Sequence, residues 1–174
     1  MLVGEKREGG AVMRSFLPYH SPVGTLWVME NGQAITEIRK SETPPAIGIQ
    51  QETQLLQMAV QQLQAYFAGK RKVFSLPLAP KGTPFQKRVW RTLLQIPYGE
   101  TRSYGQIAQA VGNPKACRAV GMANHRNPIL LVVPCHRVIG KNGSLTGYGG
   151  GLKTKAYLLQ LEQGDRKGIL YGNF

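Results

Sequence analysis

A short stretch rich in proline and glycine divides the 174-residue chain into two unlike halves. Pro77, Pro80, Gly82 and Pro84 all lie in it, and residues of these two types interrupt helices and strands. The sequence predicts strands and one helix before this stretch, and mainly helices after it. We therefore expect an α/β (α+β) protein of two domains, at residues 1–80 and 81–174.

The N-terminal half has the pattern of a small antiparallel sheet followed by one helix. Asn31-Gly32 between two apolar runs is a strong signal for a β-hairpin. Apolar residues then recur at helical spacing from Leu55 to Phe67, and Gly69 fits the position just after a helix. The predicted elements are a turn at 19–24, strands at 25–29 and 33–39, a loop at 41–50 and a helix at 55–67.

Capping boxes open two helices in the C-terminal half. Thr83 and Ser103 are each followed three residues later by Gln, a pairing that satisfies the first free N–H groups of a helix. Gly112 ends the second helix, and Asn113-Pro114 is expected to begin a third that runs to about residue 126. Two short helices joined by such a turn fit a helix-turn-helix, although many pairs of this kind are plain packing units.

The third predicted helix has an unusual composition for one that reads DNA. Most of its residues are small, and Arg118 is its main long side chain. Helices that read base edges in the major groove usually present several Arg, Asn, Gln or Lys side chains. Small residues with one Arg fit a protein that deforms the duplex instead, and the alternative is a tightly packed helix with one surface Arg.

The positive charge of the chain is concentrated in its C-terminal half. Residues 1–80 hold 8 Lys and Arg against 6 acids, whereas residues 81–174 hold 14 against only 3. The net charges are therefore +2 and +11, and such an asymmetry favours a polyanionic partner for the second half. The alternative is a basic surface that serves only solubility.

A cysteine beside a histidine is the candidate reactive site. Pro134-Cys135-His136-Arg137 follows an apolar run at 129–133 that predicts a buried strand. A thiol next to an imidazole on a rigid segment fits an activated nucleophile, and the alternative is a core cysteine beside a surface histidine. The imidazole needs an orienting carboxylate, for which the second half offers Glu100, Glu162 and Asp165. We favour Glu162, which lies on an apolar helix predicted at 155–162.

The remaining signals concern the cellular setting. No apolar run approaches the length that spans a membrane, and the first residues have no apolar core of a secretory signal. Cys117 and Cys135 have neither metal-binding spacing nor the number expected of a disulfide framework. We therefore expect a cytoplasmic protein without a membrane partner.

Three segments of the second half resemble the O6-alkylguanine-DNA alkyltransferases, the methylated-DNA–protein-cysteine methyltransferase family. They are Asn127-Pro128, Pro134 to Ile139, and the glycine-rich Gly147 to Leu152. The resemblance is dense over about residues 83–162 and looser in the first half. It implies repair of duplex DNA, bound through the minor groove, from which an alkylated guanine is flipped into a pocket.

The resemblance also implies the chemistry. Cys135 would take the alkyl group from O6 of guanine by in-line displacement, while His136, acting through a water and oriented by Glu162, would help to form the thiolate. A thioether is not readily hydrolysed, so each molecule would act once.

The resemblance assigns further residues to DNA and to the pocket. Arg118 would fill the space left by the flipped base, Tyr104 would help to rotate the 3′ phosphate, and Tyr148 would donate to O6. The remaining assignments are Ser103, Ala119 and Gly121 at the DNA, Val138, Gly149 and Gly150 in the pocket, and Asn127 as a brace between the helix-turn-helix and the predicted strand.

The expected partner is double-stranded DNA that contains O6-alkylguanine, bound by a monomer, with clustering on DNA left open. We expect no cofactor and no metal. Some family members hold zinc through Cys and His in the first domain, whereas residues 1–80 here contain no Cys and only His20. Two other functions remain as alternatives, a helix-turn-helix regulator without transfer activity and a Cys-His hydrolase.

Overall fold

The computed structural model describes residues 14–164. The described residues form two compact units, the first ending at Lys81 and the second beginning at Gly82. The first unit contains a mixed sheet with one helix, and the second is mostly helical. The predicted α/β class is therefore confirmed. None of the helices in the described part of the chain is long and apolar enough to cross a membrane.

The first unit is built on a four-stranded sheet with strand order β3-β2-β1-β4. The hairpin neighbours β1, β2 and β3 are antiparallel, whereas β4 pairs with β1 in parallel. Its elements are β1 (Ser15–Ser21), β2 (Gly24–Glu30), β3 (Ile35–Lys40), β4 (Ile49–Gln50) and α1 (Gln54–Phe67).

Local signals explain these elements, with two corrections. The Asn31 side chain accepts the N–H groups of Gln33 and Ala34, which closes the predicted hairpin. The predicted turn at 19–24 is too long, because β1 continues to Ser21 and pairs there with Gly24. The predicted loop at 41–50 is wrong at its end, where a backbone bond from Ile49 to the Arg14 carbonyl extends the sheet edge.

The second unit contains the predicted helix-turn-helix. Both capping boxes are present, at Thr83 and Ser103. Its elements are α2 (Pro84–Leu93), β5 (Arg102–Ser103), α3 (Tyr104–Ala110), α4 (Cys117–His125), a 3-10 helix (Cys135–Arg137), β6 (Val138–Ile139) and α5 (Leu152–Gln163). The short strands β5 and β6 pair in parallel and connect the start of α3 to the Cys-His segment.

Two helix starts differ from the prediction. The third helix of this unit begins at Cys117 rather than at about 114, because the Ala116 N–H bonds to the Asn113 carbonyl in a separate turn. Its N-cap has no side-chain hydrogen bond. The last helix begins at Leu152, three residues before the predicted start.

The predicted buried strand at 129–133 is wrong. These five residues are buried, but residues 130–132 form a turn, Val133 lies in a bend, and Leu131 has a φ of 68°. The Asn127 side chain replaces a neighbouring strand, since its amide donates to the carbonyls of Ile129 and Val133 and its oxygen accepts the Ile129 N–H. An apolar run predicts burial, whereas the hydrogen-bond partners decide the backbone shape.

A buried tryptophan connects helices α2 and α4 of the second unit. Trp90 on α2 is buried, and its indole N–H donates to the Ala123 carbonyl on α4 at 2.8 Å. Gly82 passes so close to this ring that an added Cβ would overlap it. Val89 and Leu93 on α2 and Val120 on α4 are buried as well, and the two helices pack against each other.

Candidate active site

Cys135 begins the 3-10 helix and is fully buried. The Asn127 amide nitrogen lies 3.0 Å from its Sγ, and the Asn124 amide nitrogen donates to its carbonyl at 3.2 Å. Both the sulfur and its backbone are therefore held from the segment that ends α4. Asn127 braces a turn, not the strand that the sequence predicts.

A buried ion network lies behind His136. Its Nε2 is 2.7 Å from Glu162 Oε1, and Arg137 contacts both carboxylate oxygens through Nε at 2.8 Å and Nη2 at 2.9 Å. The Gly99 N–H donates to the same carboxylate at 3.0 Å. Burial raises the pKa of Glu162, but the hydrogen bonds and charges of His136 and Arg137 outweigh it and hold the pKa below its ordinary value.

The network determines which nitrogen of His136 is free to act. An ionised Glu162 can only accept, so Nε2 carries the hydrogen that points at it. Burial lowers the pKa of His136 against the opposing effect of Glu162, so the resting imidazole is neutral. Its other nitrogen, Nδ1, is therefore a proton acceptor, and it has no hydrogen-bond partner within residues 14–164.

A second buried polar atom of the site also lacks a partner among the residues that the structure describes. The Tyr148 hydroxyl is unpaired within the described residues, and its ring meets the His136 ring edge to face at 6.4 Å. Burial raises the pKa of Tyr148 well above its ordinary value, so this hydroxyl stays a hydrogen-bond donor at neutral pH. Buried unpaired donors and acceptors are rare and often mark a ligand site.

The thiol itself is protonated at rest. Burial raises the pKa of Cys135 to about 11, although the Asn127 N–H and the Lys155 charge both act to lower it. An attack by this sulfur therefore needs a base that removes the proton as the reaction proceeds, which the free Nδ1 of His136 can supply.

Lys155 is a site residue that the sequence analysis missed. It is fully buried on α5, and its ammonium donates to the carbonyls of Val138 at 2.5 Å and Thr146 at 2.7 Å. Burial lowers its pKa to about 8, while the nearby Cys135 thiolate would raise it. A lysine on a predicted helix that also carries leucines gives no sign of this burial in the sequence. Only the structure shows that Lys155 lies close to Cys135.

The glycine-rich loop packs closely against these groups. An added Cβ at Gly150 would lie 2.6 Å from the Tyr148 ring, and one at Gly149 would lie 3.2 Å from the His125 carbonyl. Larger residues would therefore displace the loop or the ring. Val138, which the resemblance assigns to the pocket, is buried, and Lys155 already donates to its carbonyl.

The residues assigned to DNA lie at the start of α3 and on α4. The Ser103 hydroxyl caps α3, and the Tyr104 hydroxyl donates to the Thr146 carbonyl of the loop at 2.8 Å. Arg118 and Ala119 are exposed on α4. A Cβ at Gly121 would lie 3.9 Å from the Tyr104 ring, so this tyrosine contacts both α4 and the loop.

The other candidate carboxylates do not join the site. Glu100 is half exposed and pairs with Arg102 at 2.7 Å, and Asp165 lies outside the described residues. Within residues 14–164, no three His, Cys, Asp or Glu side chains cluster closely enough to hold a metal ion.

Comparisons with known proteins identify the family. A family model described as 6-O-methylguanine DNA methyltransferase, ribonuclease-like domain, matches residues 17–80, and the model of the DNA binding domain of the same methyltransferase matches residues 84–164. The methylated-DNA–protein-cysteine methyltransferase of Methanosarcina acetivorans is 50% identical over 150 residues, which cover 83% of this chain and 95% of that protein.

Solved structures agree. The O6-methylguanine methyltransferase of Mycobacterium tuberculosis superimposes with a TM-score of 0.81 at 46% identity, over 90% of this chain and 96% of that one. The M. tuberculosis OGT in complex with DNA gives a TM-score of 0.79 at 49% identity, over 87% of this chain and 93% of that one. The chain therefore belongs to the 6-O-methylguanine DNA methyltransferase family.

Proposed function

We propose that this protein repairs duplex DNA by moving an alkyl group from O6 of guanine onto Cys135. The observation that supports it best is the set of atoms around the buried sulfur. Asn127 donates to Sγ, and two atoms with no partner in the described part of the chain, His136 Nδ1 and the Tyr148 hydroxyl oxygen, lie in the same buried region. One atom accepts a proton and the other donates a hydrogen bond, which are the two needs of this reaction.

The chemistry balances without a cofactor. The Sγ–C bond forms as the C–O6 bond breaks, and the electron pair goes to O6, where the Tyr148 hydroxyl donates. The thiol proton passes through a water to His136 Nδ1. A proton is then delivered to N1 of guanine, which carries no hydrogen in the alkylated base. Glu162 stabilises the transient imidazolium from the Nε2 side. The products are guanine and S-alkylcysteine, a thioether that ends the activity of the molecule.

The DNA-facing side supports extrusion of a base over readout of a sequence. Arg118 is exposed on a helix whose neighbouring residues are small. We propose that it enters the stack when the alkylated guanine leaves, while Tyr104 releases the Thr146 carbonyl to engage a backbone phosphate. Phosphate contacts from a half-chain of net charge +11 would supply most of the affinity.

The reaction also suggests where the protein works. Both cysteines are free thiols, and the proposed nucleophile is active only while it is reduced. We infer a reducing compartment such as the cytoplasm. We also propose that one molecule acts alone on each lesion, since every group assigned to the chemistry belongs to one unit of one chain.

A duplex with a labelled O6-methyl group on guanine tests the proposal. We expect one label per protein molecule, located on Cys135 by peptide mass spectrometry, and none in Cys135→Ala, which should still bind the duplex. Cys117→Ser is the matched control, because Cys117 is exposed and should be dispensable. Label on Cys117, or more than one turnover, would contradict the assignment.

The same assay separates the alternatives. Binding of the duplex without transfer would favour the helix-turn-helix regulator. Loss of the label into solution without labelled protein would favour a hydrolase.

A further inference from the structure

The exposed side of α4 carries one large apolar side chain that the reaction leaves unassigned. Met122 is 53% exposed, more than Leu152 and Tyr157, the other large apolar residues found exposed among the described residues of this unit. It lies four residues after Arg118, so the two side chains are neighbours on one helix face, with Cβ atoms about 5–6 Å apart. Methionine is frequent at binding surfaces, so an exposed methionine beside an exposed arginine is a candidate for a contact with a partner.

The surroundings of Met122 favour a polyanion as the partner. Arg118, His125 and Arg126 are exposed on the same side of α4 or at its end. The chain contains no Asp or Glu between Glu100 and Glu162. An acidic membrane surface or an acidic protein shares the charge, but the helix already carries the proposed DNA side chain Arg118. The face of Met122 is therefore continuous with the DNA surface.

We propose that Met122 is a second DNA-contacting side chain, which packs its thioether into the minor groove beside the position of Arg118. This inference rests on the proposed function. Apolar side chains, methionine among them, enter the minor groove and loosen the stacking of base steps. Ala119 is small and Gly121 has no side chain, so the helix backbone can approach the groove and Met122 can reach the sugar and base edges.

The physical character of this contact predicts a distinctive result. An apolar side chain displaces water but releases no counterion, whereas each phosphate contact contributes about 1 to the slope of log affinity against log salt. Met122→Ala should therefore weaken duplex binding at every salt concentration without changing the slope. Arg118→Ala removes a positive charge from the same helix face, so it should lower both the affinity and the slope.

The experiment measures duplex affinity by fluorescence anisotropy across a salt series, together with alkyl transfer from a duplex and from a free O6-alkylguanine base. We expect Met122→Ala to weaken duplex binding by about three- to tenfold, from roughly half the transfer free energy of a methionine side chain. Met122→Leu should restore most of the affinity. Transfer from the free base should stay at the wild-type rate, since no base leaves a stack.

Met58→Ala is the matched control. Met58 is also exposed on a helix, α1 of the first unit, at 39%, and its loss should leave both affinity and rate unchanged. Wild-type affinity in Met122→Ala would overturn the inference, as would an equal loss with Met58→Ala or a slower reaction with the free base. If Met122→Ala instead weakens binding to anionic vesicles and not to duplex, a membrane contact replaces it.

Failure of the inference can be told from failure of the proposed function. If the wild-type protein becomes alkylated on Cys135 and Met122→Ala binds the duplex with normal affinity, only the role of Met122 is overturned. Wild-type protein that neither binds the duplex nor becomes alkylated overturns both.

Discussion

Glu162→Gln should destabilise the second unit strongly. The carboxylate side chain has no exposed surface, and its partner Arg137 is only 7% exposed. The variant keeps the size of the side chain but removes the charge that faces the guanidinium at two oxygens. Removal of one partner from a buried ion pair costs about 3–5 kcal/mol. That is a large share of the roughly 5–15 kcal/mol that stabilises a typical domain.

The loss should depend on pH in a defined direction. Burial raises the pKa of Glu162, but His136 and Arg137 more than compensate and leave it below the ordinary value. A carboxyl whose folded pKa is depressed contributes stability above its unfolded pKa, about 4.3, and loses it as pH falls through the folded value. The difference between wild type and variant should therefore be full at neutral pH and shrink only in acid, below about pH 4.

Urea unfolding followed by tryptophan fluorescence measures this effect. The chain has two tryptophans, Trp27 in the first unit and Trp90 in the second, so a Trp27→Phe background reports on the second unit alone. Arg137→Met in the same background completes a double-mutant cycle. We expect the double variant to lose less unfolding free energy than the sum of the two single losses, because the main cost of each single change is an unpaired buried charge. A loss below about 1 kcal/mol at neutral pH, or strict additivity, would refute this reasoning.

Two further predictions concern the surroundings of the sulfur. Lys155→Met should slow transfer from a free O6-alkylguanine base on the order of tenfold at neutral pH, because the ammonium stabilises the Cys135 thiolate. Since burial lowers the pKa of Lys155 to about 8, the deficit should narrow as pH rises through that value, and a constant deficit in single-turnover rates would argue against the charge effect. Asn127→Ala should cost about 2–4 kcal/mol in urea unfolding, because it leaves buried backbone groups unpaired. In a Cys117→Ser background it should also slow alkylation of Cys135 by iodoacetamide, and an unchanged rate would show that its N–H does not support the thiolate.

Structural features that depend on a few neighbouring residues could be predicted from the sequence. Thr83 and Ser103 begin α2 and α3 because each side chain bonds to an N–H three residues away. The Asn31-Gly32 turn joins β2 to β3 for a similar local reason. The choice of Glu162 over Glu100 followed from its place on an apolar helix. The structure places Glu162, and not Glu100, beside His136.

Individual hydrogen bonds decided what the pattern of apolar residues could not. The apolar run at 129–133 has the composition of a strand, yet residues 130–132 form a turn, and the Asn127 side chain bonds to backbone groups at both ends of the run. The start of α4 also depended on such context, because a separate turn at Asn113 precedes it.

The sequence by itself determined the two-part organisation, the basic character of the second half and the cysteine, histidine and arginine that stand side by side. Only the tertiary structure decided which atoms of these residues are free to act. Glu162 binds both His136 and Arg137 from 25 or more residues away and leaves Nδ1 without a partner among residues 14–164. Lys155 reaches the carbonyl of Val138 across 17 residues and places a charge near the sulfur. Burial and charge depend on distances in space, and a linear sequence records those distances only where the chain is locally regular.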